Sequence, residues 1–256
     1  MNDEGISHNQ KYATAATVAA FQENLRSVRE RINAAAKRAG RDARDIRLLP
    51  VSKTVPADRI RLGIEAGITE LGENKVQEGY GKWEELIDTG VRWSVIGNLQ
   101  TNKAKFVARF ADEFQALDRV RVAEALNRRL ELEDCTLDVF VQVNTSNEES
   151  KYGVTPAGLP QLLRDIQQFE RLNVRGLMTL AVFSDDPALV RPCFQRLRSL
   201  RDQMQDDLGL ENLTELSMGM SGDFELAIEE GATVVRVGQA IFGARAVPDS
   251  HYWPSA

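Results

Sequence analysis

The sequence predicts an α/β fold, a single (β/α)8 TIM barrel with an extra N-terminal helix. From residue 46 onward, apolar segments of strand length alternate eight times with amphipathic segments of helix length. The connections between them are short, and 256 residues is a common length for one such barrel. A doubly wound open sheet is the alternative, because it produces the same alternation.

The segment before the barrel is predicted to be a tail followed by a long helix. Residues 1–13 are expected to form a disordered tail. In the helix, the apolar residues Phe21, Leu25, Val28 and Ile32 are spaced by three and four, and Gly40 is its expected end. We expect this helix to be a lid or plug outside the repeating pattern.

The leading helix and the barrel are predicted to form one domain over residues 14–248, because no Pro-, Gly- or Ser-rich linker divides them. Residues 249–256 are expected to be a C-terminal tail. The predicted strands are 46–52, 68–72, 91–97, 113–117, 137–144, 173–179, 213–218 and 233–237. The predicted helices are 56–66, 74–88, 102–110, 119–133, 156–169, 187–207 and 223–230, with a last one from residue 238.

The composition excludes several classes of protein. A formal net charge of -6 is untypical of a nucleic-acid-binding protein. No apolar segment approaches the roughly 20 residues that a membrane span needs. The polar N-terminus lacks the apolar core of a signal peptide, so we expect a cytoplasmic protein, and a monomer.

The cysteine and histidine content limits the chemistry further. Cys135 and Cys193 give no disulfide framework and no zinc-ligand spacing. His8 and His251 lie near the two chain ends, which argues against a histidine-based catalytic triad or metal site. Any chemistry is therefore expected to use lysine, arginine, hydroxyl groups or a cofactor.

The strongest local signal is Lys53, which follows the apolar residues of the first predicted strand. An amine at the end of a buried strand is partly desolvated, which lowers its pKa and favours the neutral form. A neutral amine at the mouth of a parallel barrel can form a Schiff base with an aldehyde. A salt-bridged barrel lysine is the alternative interpretation.

The last two predicted strands end in a pattern typical of phosphate binding. Ser217-Met-Gly-Met-Ser221-Gly-Asp223 follows the seventh strand, and Arg236-Val-Gly238-Gln239 follows the eighth. Loops at these positions commonly bind phosphate in such barrels, through backbone N–H groups at a helix start. A turn in which Asp223 caps a helix is the alternative. Together, a Schiff-base lysine and a phosphate site predict pyridoxal phosphate (PLP) as the cofactor.

Several motifs in chain order make the sequence resemble one family. The sequence is similar to the pyridoxal phosphate homeostasis proteins, and through them to the barrel domain of alanine racemase. The resemblance covers about residues 21–245. The motifs are Pro50-Val-Ser-Lys53-Thr, Gly72-Glu-Asn-Lys-Val-Gln-Glu78, Trp93-Ser-Val-Ile-Gly-Asn-Leu-Gln-Thr-Asn-Lys103, Ser150-Lys151-Tyr-Gly153, Gly176-Leu-Met-Thr179, Leu216-Ser-Met-Gly-Met-Ser221 and Val235-Arg-Val-Gly238.

The resemblance implies a role for each matching position. Lys53 would carry the Schiff base, and Arg236 would face the pyridine nitrogen. Asn74 and Ser217 would line the pocket. Ser221, Gly238 and Gln239 would bind the phosphate.

Three residues depart from the family pattern. Asn98 replaces a usual histidine, Lys75 replaces a common aromatic residue, and Gln239 replaces a common Thr or Ser. At position 239 a longer amide replaces a hydroxyl donor, so we expect altered phosphate contacts there.

The family is regarded as a carrier or regulator of PLP and of amino-acid pools, without an established reaction. We therefore expect a PLP-binding protein without catalytic residues or a metal site, with PLP and amino acids as ligands. An amino-acid racemase is the alternative, and a Schiff-base aldolase acting on a phosphorylated sugar is a third hypothesis. Racemisation needs a proton donor or acceptor on each face of the α-carbon. None of the four tyrosines lies at a predicted strand end, and Tyr152, in the loop after the fifth strand, is the one candidate for that role.

Overall fold

The computed structural model describes residues 12–148 and 151–244. In these residues strands and helices alternate as the sequence predicts. The strands are β1 (Arg47–Pro50), β2 (Glu70–Glu73), β3 (Arg92–Val95), β4 (Glu113–Leu117), β5 (Leu137–Gln142), β6 (Leu172–Met178), β7 (Glu215–Ser217) and β8 (Val234–Val237). The α-helices are α1 (Val18–Arg38), α2 (Ala57–Glu65), α3 (Val76–Leu86), α4 (Ala104–Phe110), α5 (Val120–Leu132), α6 (Leu159–Ile166), α7 (Pro187–Leu208), α8 (Phe224–Glu229) and α9 (Gln239–Phe242).

The eight strands form one parallel sheet that closes into a barrel. The order is β1-β8-β7-β6-β5-β4-β3-β2, and β1 pairs with β8 in the register Pro50↔Val237. The seam between β1 and β2 is closed by a bridge between Val51 and Gly72, where the Ser52 N–H donates to the Gly72 carbonyl at 3.0 Å. This closure confirms the predicted barrel and excludes the open sheet.

Helix α1 differs from the expectation of a lid or plug. It begins after Thr17, whose hydroxyl accepts a hydrogen bond from the Ala20 N–H at 3.2 Å. Its buried face includes the four apolar residues found in the sequence, and it packs against α2, α8 and α9. Because α9 has four residues, we interpret α1 as the helix that completes the outer ring beside β8 and β1.

The two predicted tails fall largely outside the described residues. At the N-terminal side, the Tyr12 carbonyl accepts a hydrogen bond from the Ala244 N–H at 3.0 Å. The predicted C-terminal tail, 249–256, lies wholly outside the described residues, as do both histidines. No helix in the described ranges has the length and apolar character needed to cross a membrane.

Candidate functional site

The predicted site residues lie at the carboxyl ends of four consecutive strands. In the sheet, β7, β8, β1 and β2 are neighbours, with β1 and β2 joined at the bridge that closes the barrel. Carboxyl ends of parallel barrel strands meet at one face of the fold, which is where such barrels carry their sites. The residues brought to this mouth are Ser217 at the end of β7, Ser221 after β7, Arg236 in β8, Gly238 and Gln239 after β8, Lys53 after β1, and Asn74 after β2.

Lys53 occupies a tight turn that leaves β1. The Ser52 carbonyl accepts a hydrogen bond from the Val55 N–H at 2.9 Å, which places Lys53 and Thr54 at the two central positions of a β-turn. Lys53 is partly exposed, and Thr54 has a backbone φ of 66°. Positive φ is unusual for a β-branched residue, so this turn is strained at the residue after Lys53.

A buried ionic cluster lies beneath this turn. The Lys82 Nζ donates to the Ser52 carbonyl at 2.9 Å, to Glu73 Oε1 at 2.8 Å and to Glu78 Oε1 at 2.6 Å. Glu73 is fully buried, and this burial raises the pKa of its carboxyl group despite the nearby ammonium group. The pKa of Glu78 is lowered, because its hydrogen bonds to Lys82 and to the Thr54 N–H outweigh the effect of burial.

Sequence reasoning did not identify Lys82 as part of the site. Glu78 and Lys82 are four residues apart on α3, a spacing that brings two helical side chains together. This spacing in the sequence predicts an ion pair between the two residues. It gives no indication that the pair faces the turn after β1.

The predicted phosphate region is built around the hydroxyl of Ser221. This hydroxyl accepts hydrogen bonds from the Gly238 N–H at 3.2 Å and the Ala240 N–H at 3.5 Å. A Cβ at Gly238 would lie 3.2 Å from the Val51 carbonyl oxygen, so glycine permits β8 to approach β1 here. A hydroxyl group and backbone N–H groups beside a glycine are donors that suit a phosphate, and the residues present fit that group.

Asp223 has a different partner from the one predicted. It stands at the N-cap position of α8, but its carboxylate accepts a hydrogen bond from the Met220 N–H at 2.6 Å and caps no helical N–H group. Burial raises the pKa of Asp223. The residue therefore fixes the loop after β7 instead of starting the helix.

Arg236 is buried and held by neutral groups. Its guanidinium donates to Ser217 Oγ at 2.6 Å and to the Thr179 carbonyl at 2.8 Å. Burial lowers the pKa of Arg236 to about 10, an effect that the charge of Asp223 opposes. At neutral pH the group remains a cation and can only donate hydrogen bonds.

A chain of hydrogen bonds connects Arg236 with the opposite end of the barrel. Ser217 Oγ donates to Gln115 Oε1 at 2.6 Å, and Gln115 Nε2 donates to Glu113 Oε1 at 2.6 Å. Arg47 then donates to Glu113 Oε2 at 2.7 Å. The sequence analysis did not predict this chain of hydrogen bonds. The available signal was that Glu113 and Gln115 are two residues apart on β4, a spacing that places both side chains on one face of the strand.

Asn74 and the three departures from the family pattern also lie near the mouth. Asn74 is exposed, and a Cβ at Gly97 would lie 2.0 Å from the Asn74 carbonyl oxygen, so this glycine allows the backbone to pass. Lys75 is exposed, whereas Asn98 and Gln239 are partly exposed. The expected effect of Gln239 on phosphate contacts stays a prediction.

Tyr152, the tyrosine that could serve a racemase, is exposed over 62% of its surface. Its loop is fixed through the backbone, since the Tyr152 carbonyl accepts from Gln142 Nε2 at 3.1 Å. Tyr80 packs against Trp83 and Phe106 on the outer helices.

The described residues also include features outside this mouth. A wide groove lies near the amino ends of β3, β4 and β5, between α3 and α4, and includes Cys135. It is separate from the polar residues above, so we do not assign the predicted cofactor to it. Among residues 12–148 and 151–244, no cluster of three or more His, Cys, Asp or Glu side chains is arranged to hold a metal ion.

Comparison with known proteins defines the class of this barrel. The family model described as alanine racemase, N-terminal domain, matches residues 18–246. An alanine racemase of Clostridium difficile has a TM-score of 0.70 at 14% identity, and covers 91% of this chain and 59% of its own. At that identity the likeness shows the fold alone.

More similar relatives narrow the class to one family. The chain is 43% identical over 223 residues to a pyridoxal phosphate homeostasis protein of Aquifex aeolicus, covering 87% of this chain and 97% of the relative. The Escherichia coli K12 protein of the same name is 42% identical over 229 residues, with 87% and 95% covered. The PLP-bound structure of PipY from Synechococcus elongatus has a TM-score of 0.78 at 33% identity, with 87% and 100% covered. The chain therefore belongs to the family of pyridoxal phosphate homeostasis proteins, which confirms the resemblance found in its motifs.

Proposed function

We propose that the protein binds PLP at the mouth of the barrel and acts in PLP homeostasis as a carrier or regulator. The observation that carries the proposal is that Lys53, the Ser221–Gly238 contact and Arg236 lie at the carboxyl ends of the neighbouring strands β1, β8 and β7. PLP supplies an aldehyde that condenses with amines and a ring that accepts electrons from an α-carbanion.

Lys53 is the amine we propose for covalent attachment. In its neutral form the amine would add to the aldehyde carbon, and one water would leave as the Schiff base formed. Its turn leaves β1 beside β8, since Pro50 pairs with Val237. The N–H donors at the start of α9 therefore lie one strand away from the amine, and Ser221, after β7, lies two strands away.

The phosphate group is proposed to bind Ser221 and the N–H groups at the start of α9. The Ser221 hydroxyl already contacts the Gly238 and Ala240 N–H groups, so these donors converge on one region. Gln239 contributes its backbone N–H there in this proposal. Asn74 and Ser217 are proposed to line the pocket between the amine and the ring position.

Arg236 is the reason we propose binding without turnover of amino acids. A cation that only donates hydrogen bonds keeps a facing pyridine nitrogen unprotonated. The ring then stabilises an α-carbanion poorly, so deprotonation of a bound amino acid is slow. Racemisation would also require a second acid–base group at the substrate, and Tyr152, the tyrosine considered for that role, is exposed and has no assigned place there.

Amino acids are expected to exchange slowly onto the bound cofactor, because that exchange requires no carbanion. The protein is expected to work as a monomer in the cytoplasm. Cys135 and Cys193 are both free thiols, which fits a reducing compartment.

The test is an absorption spectrum of the purified protein with PLP, before and after borohydride, followed by mass mapping of the reduced adduct. We expect a visible imine band that reduction removes, and an adduct on Lys53. Lys53→Ala should lose the band. A reduced adduct mapped to Lys75, Lys103 or Lys151 would contradict the assignment, and a colourless protein that takes up no PLP would favour the aldolase hypothesis.

A further inference from the structure

The turn that carries Lys53 has a conformation that its own sequence does not favour. A positive φ at the second central residue is typical of type II turns, which prefer glycine at that position. Here the residue is Thr54, with φ at 66°. Strained backbone of this kind persists where surrounding contacts hold it, and it is often found at functional sites.

The contacts that hold this turn act on both neighbours of Lys53. Before Lys53, the Ser52 carbonyl accepts a hydrogen bond from Lys82 Nζ at 2.9 Å. After Lys53, the Thr54 N–H donates to Glu78 Oε1 at 2.6 Å. Lys82 and Glu78 are themselves bonded at 2.6 Å, so one ion pair fixes the backbone on both sides of Lys53.

Glu73 ties this ion pair to the barrel. Its Oε1 accepts hydrogen bonds from Ser52 Oγ at 2.6 Å and from Lys82 Nζ at 2.8 Å. Glu73 is the last residue of β2, and Lys82 and Glu78 lie on α3. The turn is therefore attached to the next strand and to the next helix.

Glu73, Glu78 and Lys82 make contacts with the turn that the stability of the fold alone does not require. A buried salt bridge is often no more stabilising than apolar residues of the same size. Lys82 and Glu73 are almost fully buried, with 9% and 0% of their side chains exposed, and burial raises the pKa of Glu73. Yet two of the bonds in the cluster end on the backbone beside Lys53.

We propose that Glu73, Glu78 and Lys82 form a clamp that holds the strained turn and so positions the Lys53 amine for Schiff-base formation. They are positioning residues because none of them would take part in the condensation. In that step the Lys53 nitrogen would bond to the aldehyde carbon, and the aldehyde oxygen would leave as water. This inference rests on the proposed attachment of PLP to Lys53.

The test variant is Glu78→Ala, which removes the acceptor of the Thr54 N–H. The matched control is Glu225→Ala, because the side chains of Glu78 and Glu225 are 27% and 28% exposed and each accepts an ion pair. Glu225 pairs with Arg31, between α8 and α1. Both full-length variants are loaded with PLP. Absorbance and borohydride trapping at Lys53 then measure how much of the bound cofactor is imine and how much is free aldehyde.

We expect Glu78→Ala to retain its PLP, because the phosphate donors are intact, but to lose imine. The ratio of imine to bound free aldehyde should fall about tenfold, the scale of one lost hydrogen bond to a charged group. Glu225→Ala should keep the wild-type ratio. An unchanged ratio in Glu78→Ala would overturn the proposal.

A second substitution separates positioning from general stability. Glycine adopts positive φ without strain, so Thr54→Gly added to Glu78→Ala should restore most of the lost imine. A general loss of stability would not be rescued by a glycine in a turn. Failure of this rescue, with Thr54→Gly alone behaving as wild type, would also overturn the clamp.

Amide hydrogen exchange of Thr54 in the full chain without PLP gives a readout that is independent of the cofactor. We expect Glu78→Ala to speed this exchange and Glu225→Ala to leave it unchanged. If the wild type forms no imine at Lys53, the proposed function fails. Slow Thr54 exchange in the same sample would then show that the cluster is structural, and the positioning role would be refuted as well.

Discussion

The two ends of the barrel each hold a buried or half-buried arginine, and the two arginines have opposite partners. Arg47, at the amino end, pairs with Glu113 at 2.7 Å and Glu70 at 3.2 Å. Burial disfavours its charge, but these carboxylates outweigh burial and raise the pKa of Arg47. Arg236, at the carboxyl end, is held by a hydroxyl and a carbonyl group, and burial lowers the pKa of Arg236 to about 10.

The difference indicates a division of roles between the ends. Removing the cation of a buried pair at the amino end is destabilising because it leaves a carboxylate without its partner, whereas a cation held by neutral groups at the mouth is suited to a ligand. Gln115 links the two, since it accepts from Ser217 and donates to Glu113. Variants at the amino end should therefore change unfolding, and variants at the mouth should change PLP binding.

The largest expected effect is that of Arg47→Met. This change leaves Glu113, whose side chain is 6% exposed, without its cation. The free energy of unfolding should fall by about 3 kcal/mol, as it does when one partner of a buried pair is removed. Denaturant unfolding measures it, with Arg61→Met as a control, because Arg61 and Asp88 form an exposed pair. A change as small as that of the control would contradict the role of the amino end.

Ser221→Ala should have the next largest effect, on PLP retention and not on unfolding. A lost hydrogen bond to a charged group weakens binding by about 1–3 kcal/mol. Titration of the cofactor-free protein with PLP measures the change. Unchanged affinity would count against the phosphate assignment. The companion variant Gln239→Thr should be neutral or bind PLP more tightly, and a large loss would show that the amide of Gln239 has a role of its own.

Arg236→Met should change the free energy of unfolding least. The substitution removes two hydrogen bonds, which destabilises the fold, and a desolvated charge, which stabilises it. The two contributions to the free energy of unfolding should cancel to within about 1 kcal/mol. Thermal or denaturant unfolding of the cofactor-free protein compares it directly with Arg47→Met. Equal destabilisation by the two substitutions would remove the distinction between the ends.

The effect of Arg236→Met on the free energy of unfolding should depend on pH in a defined direction. The pKa of Arg236 is lower in the folded protein than in the unfolded chain, so its charge disfavours folding at every pH below about 10. That penalty fades only as the pH rises above about 10 toward the unfolded value. The difference between Arg236→Met and the wild type should therefore be constant from about pH 6 to 9 in unfolding experiments. A steep change in that window would show that another group controls it.

The features of the fold that were predicted correctly from sequence are those with local causes, since the strands follow from apolar runs. Lys53 and Gly238 stand out because each follows such a run directly, and their roles in a site stay predictions. Gln115 could not be assigned, because its partner Ser217 is 102 residues away and only closure of the barrel brings them together. The contact of Lys82 with the turn could not be predicted for the same reason, since its hydrogen bond to the Ser52 carbonyl spans 30 residues.

The role of α1 shows a second limit of sequence reasoning. Its amphipathic pattern predicts a buried face but not the surface that covers it. The expectation of a lid or plug was wrong because α1 packs against the outer helices α2, α8 and α9. The packing partners of a helix depend on the whole barrel and leave no pattern in the sequence of the helix itself.

The most direct test of the central claim, PLP binding without turnover, is loss of α-deuterium from labelled alanine and from a panel of other amino acids. The measurement uses high concentrations of the PLP-loaded protein. We predict loss no faster than with free PLP, because Arg236, in its proposed place facing the pyridine nitrogen, would keep the ring a weak electron acceptor. Loss well above that of free PLP, abolished in Lys53→Ala, would contradict the carrier function and favour a racemase-like enzyme.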